Sequence, residues 1–519
     1  MKLLLLFLLF APILYLAFRQ KKWYLYLMVA FVGILPEQFS VRLHDSLPLL
    51  TGSRVLILIV AVFWLYERIK TRRLQVPISL LIFFGINIAL ALFHLFFDLD
   101  EIKYIAILLM ERALVILMLK DMIDSRQEFE RCIDFTILAC CAIAVIGICQ
   151  TVFDYDIASV LHLTETMASI SLTPRMGLTR AYGTFNAISY GCYCAIMLLL
   201  IYYRLAKTNL QRYGVAFALT FTALICTFSR SSWVCIAAVF FVLLILGRKA
   251  FIKRMLPSAG MAILLCLVLC LPQPKLAKAY IETGKSVINM VLAVLPDTPP
   301  VPTDDTTAQE SSGTDQSTSS NDLSGTVQDV PSDDDDSSST PQGTVDSNAE
   351  KEPAFKLDKE FGLNGDDPSY SRVAQWTAVE YMTMQGKLIT GYGYNAFVEG
   401  KLHYYFDRWD ARWKTAPMLD VGLVAIITEG GLIGTGSLIG WLVFMAIYAW
   451  RRKGVRGTFD FYRVTLYMIP LYLMLNFTSA FPNEGILWLV WGLFYAYRKL
   501  DAEPFEVAQA ACLDEKQTS

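Results

Sequence analysis

Apolar residues fall in repeated blocks near the length that crosses a bilayer, separated by short polar connections, along most of the 519-residue chain. The pattern predicts membrane helices over 3–18, 23–39, 55–66, 76–97, 102–118, 133–153, 187–203, 213–228, 233–246, 257–271, 432–450, 464–477 and 486–497. The expected fold is an all-α polytopic membrane protein of about 12–13 transmembrane helices, with one large extracytoplasmic loop containing short helices. The first apolar block is read as a membrane helix rather than a cleaved signal peptide, because Arg19, Lys21 and Lys22 follow it directly and no small-x-small site does.

Basic residues recur after alternate spans: Arg68/Lys70/Arg72/Arg73, Lys120/Arg126/Arg131, Arg204/Lys207/Arg212, Arg248/Lys249/Lys253/Arg254, Arg451/Arg452/Lys453/Arg456 and Arg498/Lys499. The positive-inside rule puts these in the cytoplasm and the alternate connections outside. Four regions are expected: an N-terminal helix bundle (1–271), an outer loop (272–417), C-terminal membrane helices (418–498) and a cytoplasmic tail (499–519). Within the loop, 297–352 is rich in Ser, Thr, Asp, Pro and Gly and reads as a disordered acidic linker, and 353–417 as an ordered helical part. Asp366 to Ser369 marks a helix start before Val373 to Met382, and Gly391-Tyr392-Gly393 ends that helix.

Composition adds little beyond the class. The net charge of -2 conceals the segregation of basic connections from the acidic loop. Ten of eleven cysteines lie in apolar spans and read as small hydrophobes, the eleventh being Cys512; no Cys-x-x-Cys with accompanying histidines suggests zinc. No metal, cofactor or nucleic-acid partner is expected. Glu111-Arg112 lies inside an apolar run, and adjacent helical residues point about 100° apart, so each is expected to find a partner on another helix.

The residues that could carry chemistry are arginines. Arg175, Arg180, Arg230 and Arg372 fall on the expected outer side, in or beside apolar sequence. One alone reads as an interfacial side chain with its head in water. Four on one face suit the oxygens of a lipid-linked pyrophosphate, because a guanidinium offers a fork of donors and keeps its charge. His44, His94 and His162 read as solvated interfacial histidines, whereas His403 lies near the expected site and is a backup base. Trp376, Tyr392, Tyr394, Tyr404, Tyr405, Trp409 and Trp413 could stack on sugars or form the interfacial belt.

Four segments, in this order, carry a resemblance: Arg180-Ala181-Tyr182-Gly183, Thr227-Phe228-Ser229-Arg230-Ser231-Ser232-Trp233, Arg372-Val373-Ala374-Gln375-Trp376 followed by Gly391-Tyr392-Gly393, and Glu429-Gly430-Gly431. Together they resemble the O-antigen ligase/polymerase family over roughly 154–497. The resemblance implies glycosyl transfer from an undecaprenyl-pyrophosphate carrier to an acceptor glycan hydroxyl, without a metal. The expected location is the outer face of the bacterial cytoplasmic membrane, in surface polysaccharide biosynthesis, alongside polysaccharide assembly and chain-length proteins. It assigns pyrophosphate-binding roles to Arg180, Arg230 and Arg372; Arg175 has only proximity in its favour.

Ligases of the family typically carry a His-Asn pair about nine positions before the Glu-x-Gly turn, where this chain has Asp420-Val421. The departure resembles the polymerase branch and makes Asp420 a candidate base, alongside its reading as an interfacial carboxylate capping the next helix. Asp420 and Arg230 are thus the catalytic candidates. An O-antigen-type ligase, a protein O-oligosaccharyltransferase and, from another class, a lipid-linked glycan flippase or transporter remain alternatives.

Overall fold

The computed structural model describes residues 23–32, 50–71, 75–99, 101–154, 178–184, 187–208, 211–292, 376–394, 403–405, 413–415, 421–454, 460–478 and 485–518, with isolated positions at 11, 15, 35, 40, 41 and 48. The chain divides into two compact units, one of Met1–Ile288 with Leu363–Ser519 and one of Asn289–Gly362. The first unit is described below. The predicted span 3–18 and the acidic linker 297–352 lie almost wholly outside the described residues.

The described chain is mostly helical. In order it forms α1 (Trp23–Phe31), a two-stranded hairpin of β1 (Ser40–Val41) and β2 (Leu50–Thr51), α2 (Gly52–Thr71), α3 (Ile78–Leu95) and α4 (Glu101–Ile107). A π-helical turn (Leu108–Ala113) joins α4 to α5 (Leu114–Met122), followed by α6 (Arg126–Val152), α7 (Ala187–Thr208), α8 (Gln211–Cys226), α9 (Arg230–Leu269) and α10 (Pro274–Leu292). Then come α11 (Thr377–Met384), the hairpin of β3 (His403–Tyr405) and β4 (Trp413–Thr415), α12 (Gly422–Arg452), α13 (Phe461–Thr478) and α14 (Gly485–Thr518).

Among the described residues, four helices are long and apolar enough to cross a membrane: α3, α6, the Ser189–Thr208 part of α7, and α12. Their packing divides them. The α7 window is wholly buried, whereas those of α3 and α12 are one-third buried. Residues such as Leu81, Ile82, Leu92, Ile439, Val443 and Ile447 are left exposed. Exposed apolar residues along helices of spanning length and composition suit a membrane.

The basic connections converge on one end of the bundle. Arg68 of α2 pairs with Asp121 of α5 at 3.3 Å, and Lys499 of α14 with Asp124 at 2.8 Å. Arg126 at the start of α6 reaches Asp501 at 3.0 Å. Arg204 near the end of α7 grips Asp134 at 2.7 Å and Glu130 at 2.9 Å, and Arg212 at the start of α8 approaches the same Asp134. The far ends of α3, α6 and α8 therefore lie about 24 Å or more away, at 1.5 Å of rise per residue.

Several boundaries differ from the sequence expectation. Spans 233–246 and 257–271 fall within α9 as its two apolar parts, Arg230–Leu246 and Met255–Leu269, and the second runs back along α8, with Ala262 O 3.5 Å from the Thr222 hydroxyl and Cys266 Sγ 3.8 Å from it. Span 432–450 is the lower part of α12, which begins at Gly422. The expected tail from 499 continues α14 as helix to Thr518, in keeping with its Ala, Glu and Gln content. The region 353–417 is not helical throughout, since its aromatic and β-branched positions pair as β3 and β4.

Candidate functional site

Where the segments that carry the resemblance are described, they pack as two pairs, with 372–375 outside the described residues. The first pair is built where α8 turns into α9. Thr227 donates its hydroxyl to Leu224 O at 2.7 Å and accepts the Ser229 N–H at 3.1 Å, closing the turn with its own side chain. Phe228, fully buried, takes a left-handed φ of 50°, which a non-glycine residue adopts only under compulsion. Its ring packs on Tyr280 of α10 and the Trp233 indole donates to Leu224 O at 3.0 Å, so both flanks of the turn are anchored.

The segment 178–184 lies against this turn. Ala181 N–H donates to Cys226 O at 3.0 Å and Arg180 Nε to Thr227 O at 2.9 Å, filling carbonyls left open at the end of α8. Two residues at the end of α6 hold the segment in place. Buried Gln150 accepts from Tyr182 N–H at 3.2 Å and Gly183 N–H at 2.8 Å, and returns a bond to Gly183 O at 3.0 Å. Asp154 accepts from both the amide (2.8 Å) and the hydroxyl (2.7 Å) of Thr179. Those bonds from Thr179 hold the Asp154 carboxyl below the usual carboxylate range.

Arg230 is the first residue of α9 and is exposed, and its guanidinium donates to the Ser286 hydroxyl of α10. Behind it, Ser229, Ser231 and Ser232 are buried with hydroxyl separations of 3.0 and 3.4 Å. Arg180 and Arg230 are thus brought to one helix N-terminus, whose dipole favours an anion. This turn lies at the end of the bundle opposite the basic belt.

The second pair is the junction between 388–393 and α12. Gly431 breaks α12 with φ 59° and ψ −163°. A break frees two carbonyls and two N–H groups, and the loop supplies all four partners. Tyr392 and Gly393 donate to Thr428 O (2.9 Å) and Glu429 O (3.1 Å), while Leu432 and Ile433 donate to Leu388 O (2.9 Å) and Ile389 O (3.2 Å). Any Cβ on Gly391 or Gly431 would collide with the opposing backbone.

Beneath this junction lies a cavity of about 60 Å³ whose lining includes Asn87, Tyr104, Arg112, Glu429 and Trp488. Arg112 sits in the π-helical turn with its guanidinium 4.9 Å from the Trp488 ring, and Glu111 pairs with Arg54 of α2. Both members of Glu111-Arg112 therefore meet other helices, as their spacing requires. Glu101 accepts Tyr394 N–H at 2.6 Å, and Tyr394 stacks on Tyr104. His94, expected to be solvated, is instead buried, with Nε2 2.8 Å from Thr390 O. A carbonyl can only accept, so Nε2 carries the proton.

Of the expected site residues, the structure brings Arg180 and Arg230 to one turn. Arg175, Arg372 and Asp420 lie outside the described residues. His403 opens β3, paired with Thr415 of β4. Glu101, Tyr104 and Glu429 were not singled out as site residues; a glutamate beginning a helix or preceding a Gly-Gly turn is the only trace they leave in the sequence. No group of three or more His, Cys, Asp or Glu side chains suited to a metal occurs among the described residues. Compared with protein-family models, with curated proteins and with solved structures, the chain matches none.

Proposed function

We propose that this chain is a multi-pass glycosyltransferase of the bacterial cytoplasmic membrane, with about 12–13 spans and a site facing outward. In this reading it transfers or polymerises glycan from an undecaprenyl-pyrophosphate carrier onto an acceptor sugar hydroxyl. One observation carries it: Arg180 and Arg230 flank the N-terminus of α9, a cationic corner suited to a pyrophosphate. The acceptor oxygen attacks the anomeric carbon, the bond from that carbon to the carrier oxygen breaks, and undecaprenyl pyrophosphate leaves with its growing charge held by the arginines. The acceptor proton passes to a base, for which Asp420 is the candidate and His403 the reserve. Arg372 and Arg175 complete the set of proposed pyrophosphate contacts.

Glycan from cells carrying Arg230→Ala tests the proposal. Loss of long glycan with accumulation of the lipid-linked unit is expected, and normal polymer overturns it. Ligase and protein O-oligosaccharyltransferase activities share the site, and the acceptor found attached to product separates them.

A second reading draws on the break in α12. Discontinuous helices beside buried charges are a feature of transporters, and Arg112 and Glu429 line a cavity next to Gly431. Reconstituted protein that moves labelled lipid-linked sugar across a bilayer without lengthening it supports this reading over the first.

A further inference from the structure

At the basic end of the bundle, α2, α5, α14 and the residues just before α3 line an open cavity of about 550 Å³. Arg68, Lys120, Arg498 and Lys499 line it, and Asp121 is the one acid in its lining. With Asp121 in the lining and Asp124 paired to Lys499 at 2.8 Å, the four cations leave the cavity with a net positive charge. Topology alone requires basic residues near this end of the helices, but it does not require four of them, from three helices, to line one cavity.

Each cation is held in place. Lys120 Nζ donates to Gln75 O at 2.6 Å, Lys499 Nζ reaches Asp121 O and Ile123 O at 3.4 and 3.3 Å, and Arg498 lies 4.4 Å from the centre of the Tyr448 ring. Arg68 spans to Asp121 O at 2.9 Å. Side chains fixed by backbone carbonyls and an aromatic face form a pre-arranged pocket rather than a solvated fringe.

The helices leaving the cavity supply its second half. Leu65 and Ile69 of α2 share one exposed face near Arg68, and Ile78, Leu81 and Ile82 of α3 form an exposed apolar face starting one residue beyond Pro77, which lines the cavity. A positive chamber bordered by lipid-facing apolar helix surfaces matches a molecule with a charged phosphate and acyl chains.

We propose that this cavity binds the phosphate of an anionic phospholipid, with its acyl chains along the exposed faces of α2 and α3. The site stands apart from the α8–α9 turn and does not depend on the transferase reading. Native mass spectrometry of the full-length protein in detergent, offered phosphatidylglycerol and phosphatidylcholine at equal mole fraction, tests it.

The wild-type chain is expected to retain phosphatidylglycerol selectively. Lys120→Gln with Arg498→Gln should weaken that retention about thirtyfold, from the contribution of each basic side chain at an anionic headgroup. Arg212→Gln, which removes an exposed cation of the same belt outside the cavity, should leave it unchanged. Equal retention of the two lipids by the wild-type chain overturns the proposal, even if the double variant fails to fold. So does an equal loss in Arg212→Gln. Displacement of phosphatidylglycerol by an equal concentration of inorganic phosphate overturns the lipid assignment in favour of a free phosphate.

Discussion

Gly391 and Gly431 face one another across the break in α12, each with positive φ and each so close to the other's backbone that neither position has room for a methyl group. The loop and the broken helix are therefore fitted as one unit, through backbone alone. Side chains contribute nothing to the closest part of that fit.

Gly391→Ala and Gly431→Ala should each destabilise the protein by about 2 kcal/mol or more, combining the cost of a left-handed alanine with overlap against fixed backbone. Thermal unfolding in detergent measures this. The double variant should cost less than the sum of the singles, because the first substitution already separates the two strands of the junction.

Arg180 and Arg230 should separate into different phenotypes. Arg230→Gln changes an exposed side chain and should leave stability within about 0.5 kcal/mol, while the glycan lengthening proposed above is lost. Arg180→Gln also removes a charge-assisted bond to Thr227 O and should cost about 1.5 kcal/mol in addition. Melting curves set beside glycan profiles distinguish the two.

The bracket on Thr179 should respond to acid. Asp154 has a carboxyl depressed below its unfolded value near 3.9, so its contribution is full above that value and fades as pH falls through the folded one. Amide exchange at Thr179 should be protected at neutral pH and lose protection as the carboxyl is protonated. Asp154→Asn tolerates the φ of 50° and keeps an acceptor, so it should abolish the acid response, whereas Asp154→Ala should remove protection at every pH.

Glu111→Ala should be costly because it leaves Arg54, only 13% exposed, without its carboxylate partner; about 3 kcal/mol is expected. Replacing both residues together, Glu111→Leu with Arg54→Met, should recover most of that loss, since paired apolar side chains need no compensation. Denaturation of the three variants provides the test.

Much of the helical pattern was legible because apolar blocks and basic connections are period-independent signals, strong even in a single sequence. The partnering of Glu111 and Arg112 could also be read, from helix geometry. What sequence could not reveal was depth. His94 sits at the end of an apolar run, where solvation is the default, and only the approach of Thr390, nearly three hundred positions later, buries it. By contrast, the division of α9 into two apolar parts was legible in the basic residues between them. Arg180 and Arg230 were visible as charges in apolar surroundings, but their shared turn depends on Gln150 and Asp154, residues at and just beyond the end of α6 that nothing in the local sequence ties to it.

The break at Gly431 sets an order of assembly. Until residues 388–393 arrive, α12 has two carbonyls and two amides with no partner, a state hydrocarbon does not tolerate cheaply. The upper part of α12 can therefore settle at its final depth only once the preceding loop has docked on it. That loop acts as an internal template for inserting the helix that follows it in the chain.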